Sequence, residues 1–320
     1  MNAIRTEALT KHYPVGFWRQ RPYVALDALT LDVHQGEVFG FLGPNGAGKT
    51  TTLKLLMQLT YPTSGRAEIL GQPVGDVSVK RRIGYLPENP YFYDYLTAEE
   101  LLHYFAGLFG YAAADRRRRV AGLLDEMGIG AERRLQLRKF SKGMLQRVGI
   151  AQAIINDPEV VFFDEPMSGL DPLGRREIRE LILRLRERGC TVFFSSHVLS
   201  DAEALCSRVA IVASGRLAAT GDLSEILATH ARGWELVMAG LDDTVLEAAT
   251  ASGRVERVTP LGGRRYALAL PLSVAPDRLV ADLVSQGGEL VSVNPIHETL
   301  EDFYVRQIGA VENDRGLAAV

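Results

Sequence analysis

Between Val33 and about Gly221 the chain alternates short β-branched or aromatic runs with stretches whose apolar positions recur at helical spacing. Val38-Phe39-Gly40-Phe41-Leu42 predicts a buried strand, ended by Gly43 and followed by a helix from Gly48 to about Leu59. Val160–Phe163, Thr191–Phe194 and Val209–Val212 predict three more buried strands. Leu173–Arg188 lies between the first two of these, with Ile178, Leu181, Ile182 and Leu185 on one helical face. Strands alternating with helices imply an α/β fold with a mainly parallel sheet covered on both faces. The segment 97–155 is almost wholly helical by period, and reads as a helical subdomain inserted into that core.

Past Asp222 the texture changes. Glu235–Met238, Val255–Thr259, Tyr266–Leu270 and Leu290–Val293 read as strands, with Asp243–Ala251 and Pro276–Ser285 as helices between them. The order β-α-β-β-α-β predicts a small α+β, ferredoxin-like C-terminal domain. The expected organisation is 1–222 for the larger domain and 223–310 for the smaller. A last helix spans Glu298–Ile308, and 311–320 is a polar tail expected to be disordered.

Composition narrows the function classes. A formal net charge of −3 gives no reason to expect nucleic acid as a partner. Two cysteines, Cys190 and Cys206, cannot build a disulfide framework and read as small buried residues. Met1–Tyr13 has charges and no apolar core, so no signal peptide is expected. No run approaches the roughly 20 apolar residues that span a bilayer. A membrane role would therefore be exercised by docking.

Gly43-Pro44-Asn45-Gly46-Ala47-Gly48-Lys49-Thr50 fits the G-x-x-x-x-G-K-[ST] phosphate loop, set between a strand and a helix as that motif requires. Glycines let the backbone wrap closely around a polyphosphate, while successive amides and the helix N-terminus point at the anion. Lys49 is expected on the β- and γ-phosphates and the Thr50 hydroxyl on Mg²⁺. Four apolar residues run into Asp164-Glu165. Asp164 suits a Mg²⁺ ligand, and Glu165 can orient or deprotonate the attacking water.

Further motifs resemble the ABC ATPase family over about residues 1–222. Phe140-Ser141-Lys142-Gly143-Met144 with Gln146-Arg147 resembles the family's signature, though Lys142 and Met144 depart from its consensus. Ser168-Gly169-Leu170-Asp171 resembles the D-loop, and His197 the switch histidine. The resemblance implies ATP with Mg²⁺ as ligands, adenine stacking on Tyr13, and Thr51 beside Thr50 in the nucleotide site. It also implies that Ser141 and Gly143 reach the γ-phosphate of a second subunit's ATP, in a head-to-tail homodimer. An integral membrane permease would be the other partner, placing the chain on the cytoplasmic face of the plasma (inner) membrane.

Where the family usually has glutamine, this chain has Glu88, which can still offer an oxygen to Mg²⁺ but adds a negative charge near the phosphates. Glu88 and the ending Thr299–Tyr304 resemble the exporter branch that pairs with separate permeases. An importer ATPase, or a soluble ABC ATPase unconnected with transport, are the rival readings. Tyr91-Phe92-Tyr93-Asp94-Tyr95 reads equally as a permease-docking surface or as packing of the helical subdomain. The arginine run 116–119 reads as a solvated face, with lipid or permease contact as its alternative. A projecting hairpin is expected over 15–23.

Overall fold

The computed structural model describes residues 1–16, 21–228, 231–297 and 299–317. Phe17, Trp18 and Arg19 of the expected hairpin, and Glu298 at the expected start of the last helix, lie outside them. Chain contacts divide the protein into two units, Met1–Leu223 with the C-terminal stretch from Tyr304, and Ser224–Phe303.

The first unit opens with Asn2–Val15 (β1) and Arg21–His34 (β2), paired antiparallel. Val38–Leu42 (β3) follows, buried at all five positions, and leads through the phosphate loop into Lys49–Leu56 (α1). Helix α1 stops short of Leu59, because Gln58 takes a positive φ of 55°. Next come Ser64–Ile69 (β4), Gln72–Pro73 (β5), Val77–Lys80 (α2) and Ile83–Leu86 (β6).

The helical segment is Ala98–Leu108 (α3), Ala113–Glu126 (α4) and Lys142–Ala153 (α5). Thr97 and Glu100 form a capping box at the head of α3. The expected helical continuity fails after Met127, where Gly128 turns to φ 64° and only a short 3-10 turn, Leu137–Lys139, precedes α5. The arginine run is not simply solvated: Arg119 donates to the Ile154 and Ile155 carbonyls at 2.6 and 3.1 Å, closing the C-terminal end of α5.

Val160–Asp164 (β7), Pro172–Glu187 (α6), Thr191–Ser196 (β8), Leu199–Leu205 (α7), Arg208–Ala213 (β9) and Arg216–Asp222 (β10) complete the alternation. The central sheet has the order β10-β9-β3-β8-β7-β6, parallel except for β10. Its middle is aromatic: Phe39, Phe41 and Phe162 each place a ring 5.3–5.7 Å from that of Phe193. A separate antiparallel sheet, β2-β1-β4-β5, packs into the same core.

Helix Leu223–Ala228 (α8) begins at the last residue before the boundary, and the second unit continues with Ala231–Ala239 (β11), Asp243–Ala251 (α9), Arg257–Gly262 (β12), Arg265–Pro271 (β13), Pro276–Ser285 (α10) and Glu289–His297 (β14). Its sheet order, β12-β13-β11-β14, is antiparallel throughout and is that of a ferredoxin-like split βαβ. Strand β12 begins two residues later than expected and takes in Pro260, which an edge strand tolerates.

The last helix, Leu300–Leu317 (α11), runs past the expected end at Ile308 into the segment expected to be disordered. It contains no proline, and Thr299 caps it, accepting from the Asp302 amide at 3.1 Å. Among the described residues no helix is long and apolar enough to cross a membrane.

Candidate functional site at the strand ends

Strands β3, β8, β7 and β6 are neighbours and parallel, so their C-terminal ends open on one edge of the sheet. Ligands of open parallel sheets bind at such an edge. The phosphate loop follows β3, His197 follows β8, Asp164-Glu165 ends β7 and Glu88 follows β6. A cavity of about 480 Å³ lies there, with Lys49, Thr50, Glu88, Glu165 and His197 on its wall. Strand β8, which leads into His197, stands between β3, which leads into the phosphate loop, and β7, which ends in Asp164.

The loop is shaped first by the protein's own backbone. A Cβ at Gly43 would sit 2.3 Å from the Val212 carbonyl oxygen, and one at Gly48 would sit 2.6 Å from that of Ala25. Gly48 also takes φ 106° as the N-cap of α1, a conformation closed to other residues. The expected collision with phosphate is therefore preceded by a collision within the fold. Pro44, Asn45, Gly46, Gly48 and Thr51 line the cavity, whereas Ala47 is buried and Gly43 presents its carbonyl to Lys49.

Lys49 Nζ donates to the Gly43 and Pro44 carbonyls at 2.7 and 3.3 Å and lies 3.4 Å from Glu165 Oε1. The other Glu165 oxygen is 2.9 Å from His197 Nδ1. An ionised carboxylate offers only acceptors, so Nδ1 carries the hydrogen. Glu165 itself has φ 50°, in the left-handed region, and its amide donates to Ser195 Oγ at 3.1 Å. The Ser195 hydroxyl in turn donates to Asp164 Oδ1 at 2.6 Å. Ser195 thus orders both acids at once. Its hydroxyl was legible only as the end of a strand, because the register pairing Asp164 with Ser195 joins residues far apart in sequence.

Asp164 is 1 % exposed, and its Oδ2 is buried without a hydrogen-bond partner. Burial pushes its carboxyl above the ordinary value; the Ser195 and Thr50 hydroxyls pull the other way, and the charges of Glu88 and Glu165 add to the rise. Such a group invites a cation. Thr50, Glu88 and Asp164 offer hard oxygen donors of the kind Mg²⁺ takes. Among the described residues no group of three or more His, Cys, Asp or Glu could hold a metal ion.

Tyr13 is not on the cavity wall. Its ladder partner Tyr23 is, about half exposed, with Ala25 beyond it. Tyr13 lies under Lys11, whose Nζ is 4.9 Å from the ring centre. Directly paired residues of an antiparallel ribbon share a face, so Tyr23, within the expected hairpin, presents its ring on the same face as Tyr13.

Ser141 and Gly143 line a different cavity, of about 440 Å³, together with Gly169 and Asp171. Ser141 is the N-cap of α5, accepting from the Met144 amide at 3.3 Å with its hydroxyl side exposed. The two cavities have no wall residue in common.

The ABC transporter family model matches residues 26–168. An uncharacterised ABC transporter ATP-binding protein of Synechocystis is 46% identical over 309 residues, 96% of this chain and 85% of its own. The chain belongs to the ABC transporter family. The Nod factor export ATP-binding protein I of Ralstonia nicotianae is 33% identical to this ABC ATPase, over 90% of each chain. A solved dimeric ATP-binding cassette, in a post-hydrolysis state with ADP and Pi, superposes with a TM-score of 0.64 at 25% identity, over 69% of this chain and 98% of its own. The protein is an ATP-binding, ATP-hydrolysing subunit of an ABC transporter.

Proposed function

We propose that this ABC ATPase powers export of a substrate through a separate membrane permease, working as a head-to-tail homodimer that closes on two ATP molecules. The carrying observation is the separation of the two cavities: Lys49 and Thr50 line one, Ser141 and Gly143 the other. Each is half of a phosphate clamp, and a second copy supplies the missing half. The solved relative described as dimeric supports this arrangement.

In this reading Lys49 and the amides of Asn45, Gly46 and residues 48–51 hold the phosphates, and Ser141 with Gly143 closes on the γ-phosphate from the other subunit. Glu165 orients the attacking water and takes its proton; His197 holds the carboxylate in place through Nδ1. Thr50, Glu88 and Asp164 would hold Mg²⁺, whose charge offsets that of the phosphate oxygens. Tyr13 and Tyr23 form the adenine platform. Water attacks the γ-phosphorus and the β–γ bond breaks to give ADP and Pi; once Pi leaves, no γ-phosphate bridges the subunits and the dimer opens.

Residues 1–222 act as the motor domain and 223–310 as an accessory domain. Tyr91, Tyr93 and Tyr95 are 97%, 64% and 60% exposed and suit docking to the permease at the cytoplasmic face of the membrane. The export direction is supported by the relative named for Nod factor export and by Glu88.

Sedimentation tests the clamp. Glu165→Gln with ATP and Mg²⁺ is expected to run as a dimer and the double variant with Ser141→Arg as a monomer; a dimer from both would refute it. Direction is read by ATP-driven substrate uptake into inside-out vesicles carrying the permease.

A further inference from the structure

Glu165 adopts a left-handed φ of 50° that a residue with a Cβ keeps only where its surroundings hold it there. Three hydrogen bonds do so. Its amide donates to Ser195 Oγ at 3.1 Å, its carbonyl accepts from the Ser168 amide at 3.1 Å, and the next carbonyl, that of Pro166, accepts from Gln146 Nε2 at 2.8 Å. The first two partners come from β8 and from the turn itself. Gln146 comes from α5, the helix that Ser141 caps, and is 4 % exposed. A buried amide group is unfavourable unless its bonds are made. Pro166 has no N–H, so its side of the turn can be anchored only through the carbonyl.

We propose that Gln146 is a positioning residue for ATP hydrolysis: its bond to the Pro166 carbonyl holds the turn that sets the Glu165 carboxylate, and links that carboxylate to the helix begun by Ser141. The proposal rests on the reading of Glu165 as the group that orients the attacking water. A leucine of similar volume would fill the site and leave the Pro166 oxygen buried and unpaired. The Glu165 turn would then relax, and a misplacement of the carboxylate by about 1 Å would slow the reaction steeply. Ser141 and Gln146 are five residues apart on one helix, a rise of about 7.5 Å. Motion at the phosphate-facing end of α5 therefore reaches Glu165 through one side chain.

The test uses the full-length chain with ATP and Mg²⁺, comparing Gln146→Leu, Gln146→Glu and Glu165→Gln. Gln146→Leu is expected to lower kcat by about tenfold or more while KM for ATP stays within about twofold, in a protein that melts close to the parent. Gln146→Glu keeps the shape but sets an acceptor against an acceptor; burial raises the pKa of the new carboxyl, and protonation restores a donor. Its activity relative to the parent is therefore expected to climb as pH falls from about 8 to about 6, a response that a purely structural role would not give. Should Gln146→Leu melt early, this pH response decides. Parental kcat in Gln146→Leu, or a Gln146→Glu deficit indifferent to pH, overturns the positioning role where Glu165→Gln is inactive. Full turnover by Glu165→Gln overturns the reading of Glu165 and the positioning role with it.

Discussion

Lys49 Nζ and Glu165 Oε1 stand 3.4 Å apart, with both side chains less than a tenth exposed. The cation proposed for phosphate is thus already paired with the acid proposed to orient water. Nucleotide phosphates must compete with Glu165 for Lys49, and they also meet the repulsion of its charge. Glu165→Gln removes both obstacles along with the proton acceptor. Its affinity for ATP is expected to rise severalfold, while phosphate release slows by about a hundredfold or more. Titration with a fluorescent ATP analogue and a phosphate-release assay read the two effects separately; unchanged affinity would show that the ion pair does not oppose binding.

The glycines of the loop are predicted to differ sharply from one another. Gly46 has φ 81° with open space where a Cβ would stand, so Gly46→Ala meets only the left-handed penalty, about 1–2 kcal/mol. Gly48→Ala meets that penalty and the Ala25 oxygen at 2.6 Å, and Gly43→Ala meets the Val212 oxygen at 2.3 Å. Those contacts are with backbone and cannot be relieved by a rotamer change. Urea unfolding should find Gly43→Ala and Gly48→Ala each at least about 2 kcal/mol less stable than Gly46→Ala. Equal losses for all three would mean that the loop relaxes freely.

What the sequence made legible follows from distance along the chain. Lys49 and Thr50 belong to one contiguous motif and Asp164, Glu165 and His197 lie at the ends of buried strands, so short-range pattern was enough to single them out. The βαββαβ order of the second unit was legible for the same reason, since each element carries its own period. Relations set by pairing were not. Nothing local announces that β8 lies between β3 and β7, that Tyr23 lines the cavity, or that Ser195 bonds both acids. The antiparallel sheet of β1, β2, β4 and β5 escaped because its strands mix buried and exposed positions without an apolar run. Helix α11 outran its expected end because polarity there argues for exposure, not against helix.

Asp164 trades stability for its role. Its carboxyl is raised above the ordinary 3.8, mainly by burial, and one oxygen has no partner. A carboxyl raised in the folded state supports folding fully only below its unfolded value and loses that support as pH rises through the folded one. At neutral pH the buried charge is therefore a burden that Mg²⁺ would relieve. Asp164→Asn should melt a few degrees higher than the parent in EDTA, equivalent to about 1 kcal/mol. It should gain less from added Mg²⁺ with ATP, and hydrolyse poorly. A variant that melts lower in EDTA would contradict this account.

Both thiols are predicted to be silent in the folded protein. Burial pushes the Cys190 thiol up to about 12, with Asp157 adding to the rise, and burial against Gly40 also raises Cys206 well above the ordinary thiol value. Reaction requires thiolate and access, and neither exists near neutral pH. Ellman's reagent at pH 8 should detect close to zero thiols per chain natively and two in guanidinium chloride. Rapid native labelling of either would show that the core opens around β8 or α7.

Two arginines on one helix provide the sharpest contrast in ion pairing. Arg179 donates through Nη2 and Nε to Asp201 Oδ1 at 2.6 and 3.1 Å, and Asp201, on α7, is 1 % exposed. Arg175 approaches the other oxygen only to 3.7 Å. Arg176 pairs at 3.0 Å with Glu180, but those side chains are 76% and 50% exposed. Removing Arg179 strands a buried carboxylate, for which the usual loss is about 3–5 kcal/mol. Because Arg179 is itself a third exposed and Arg175 remains nearby, about 2 kcal/mol is the expected loss for Arg179→Ala. Arg176→Ala removes a pair that water screens, and should change stability by less than about 0.5 kcal/mol. Since the buried pair joins the helix after Asp171 to the helix after His197, Arg179→Ala should also lower ATPase activity, while Arg176→Ala leaves it unchanged. Denaturant midpoints and ATPase rates that did not separate the two variants would remove Asp201 as the tie between α6 and α7.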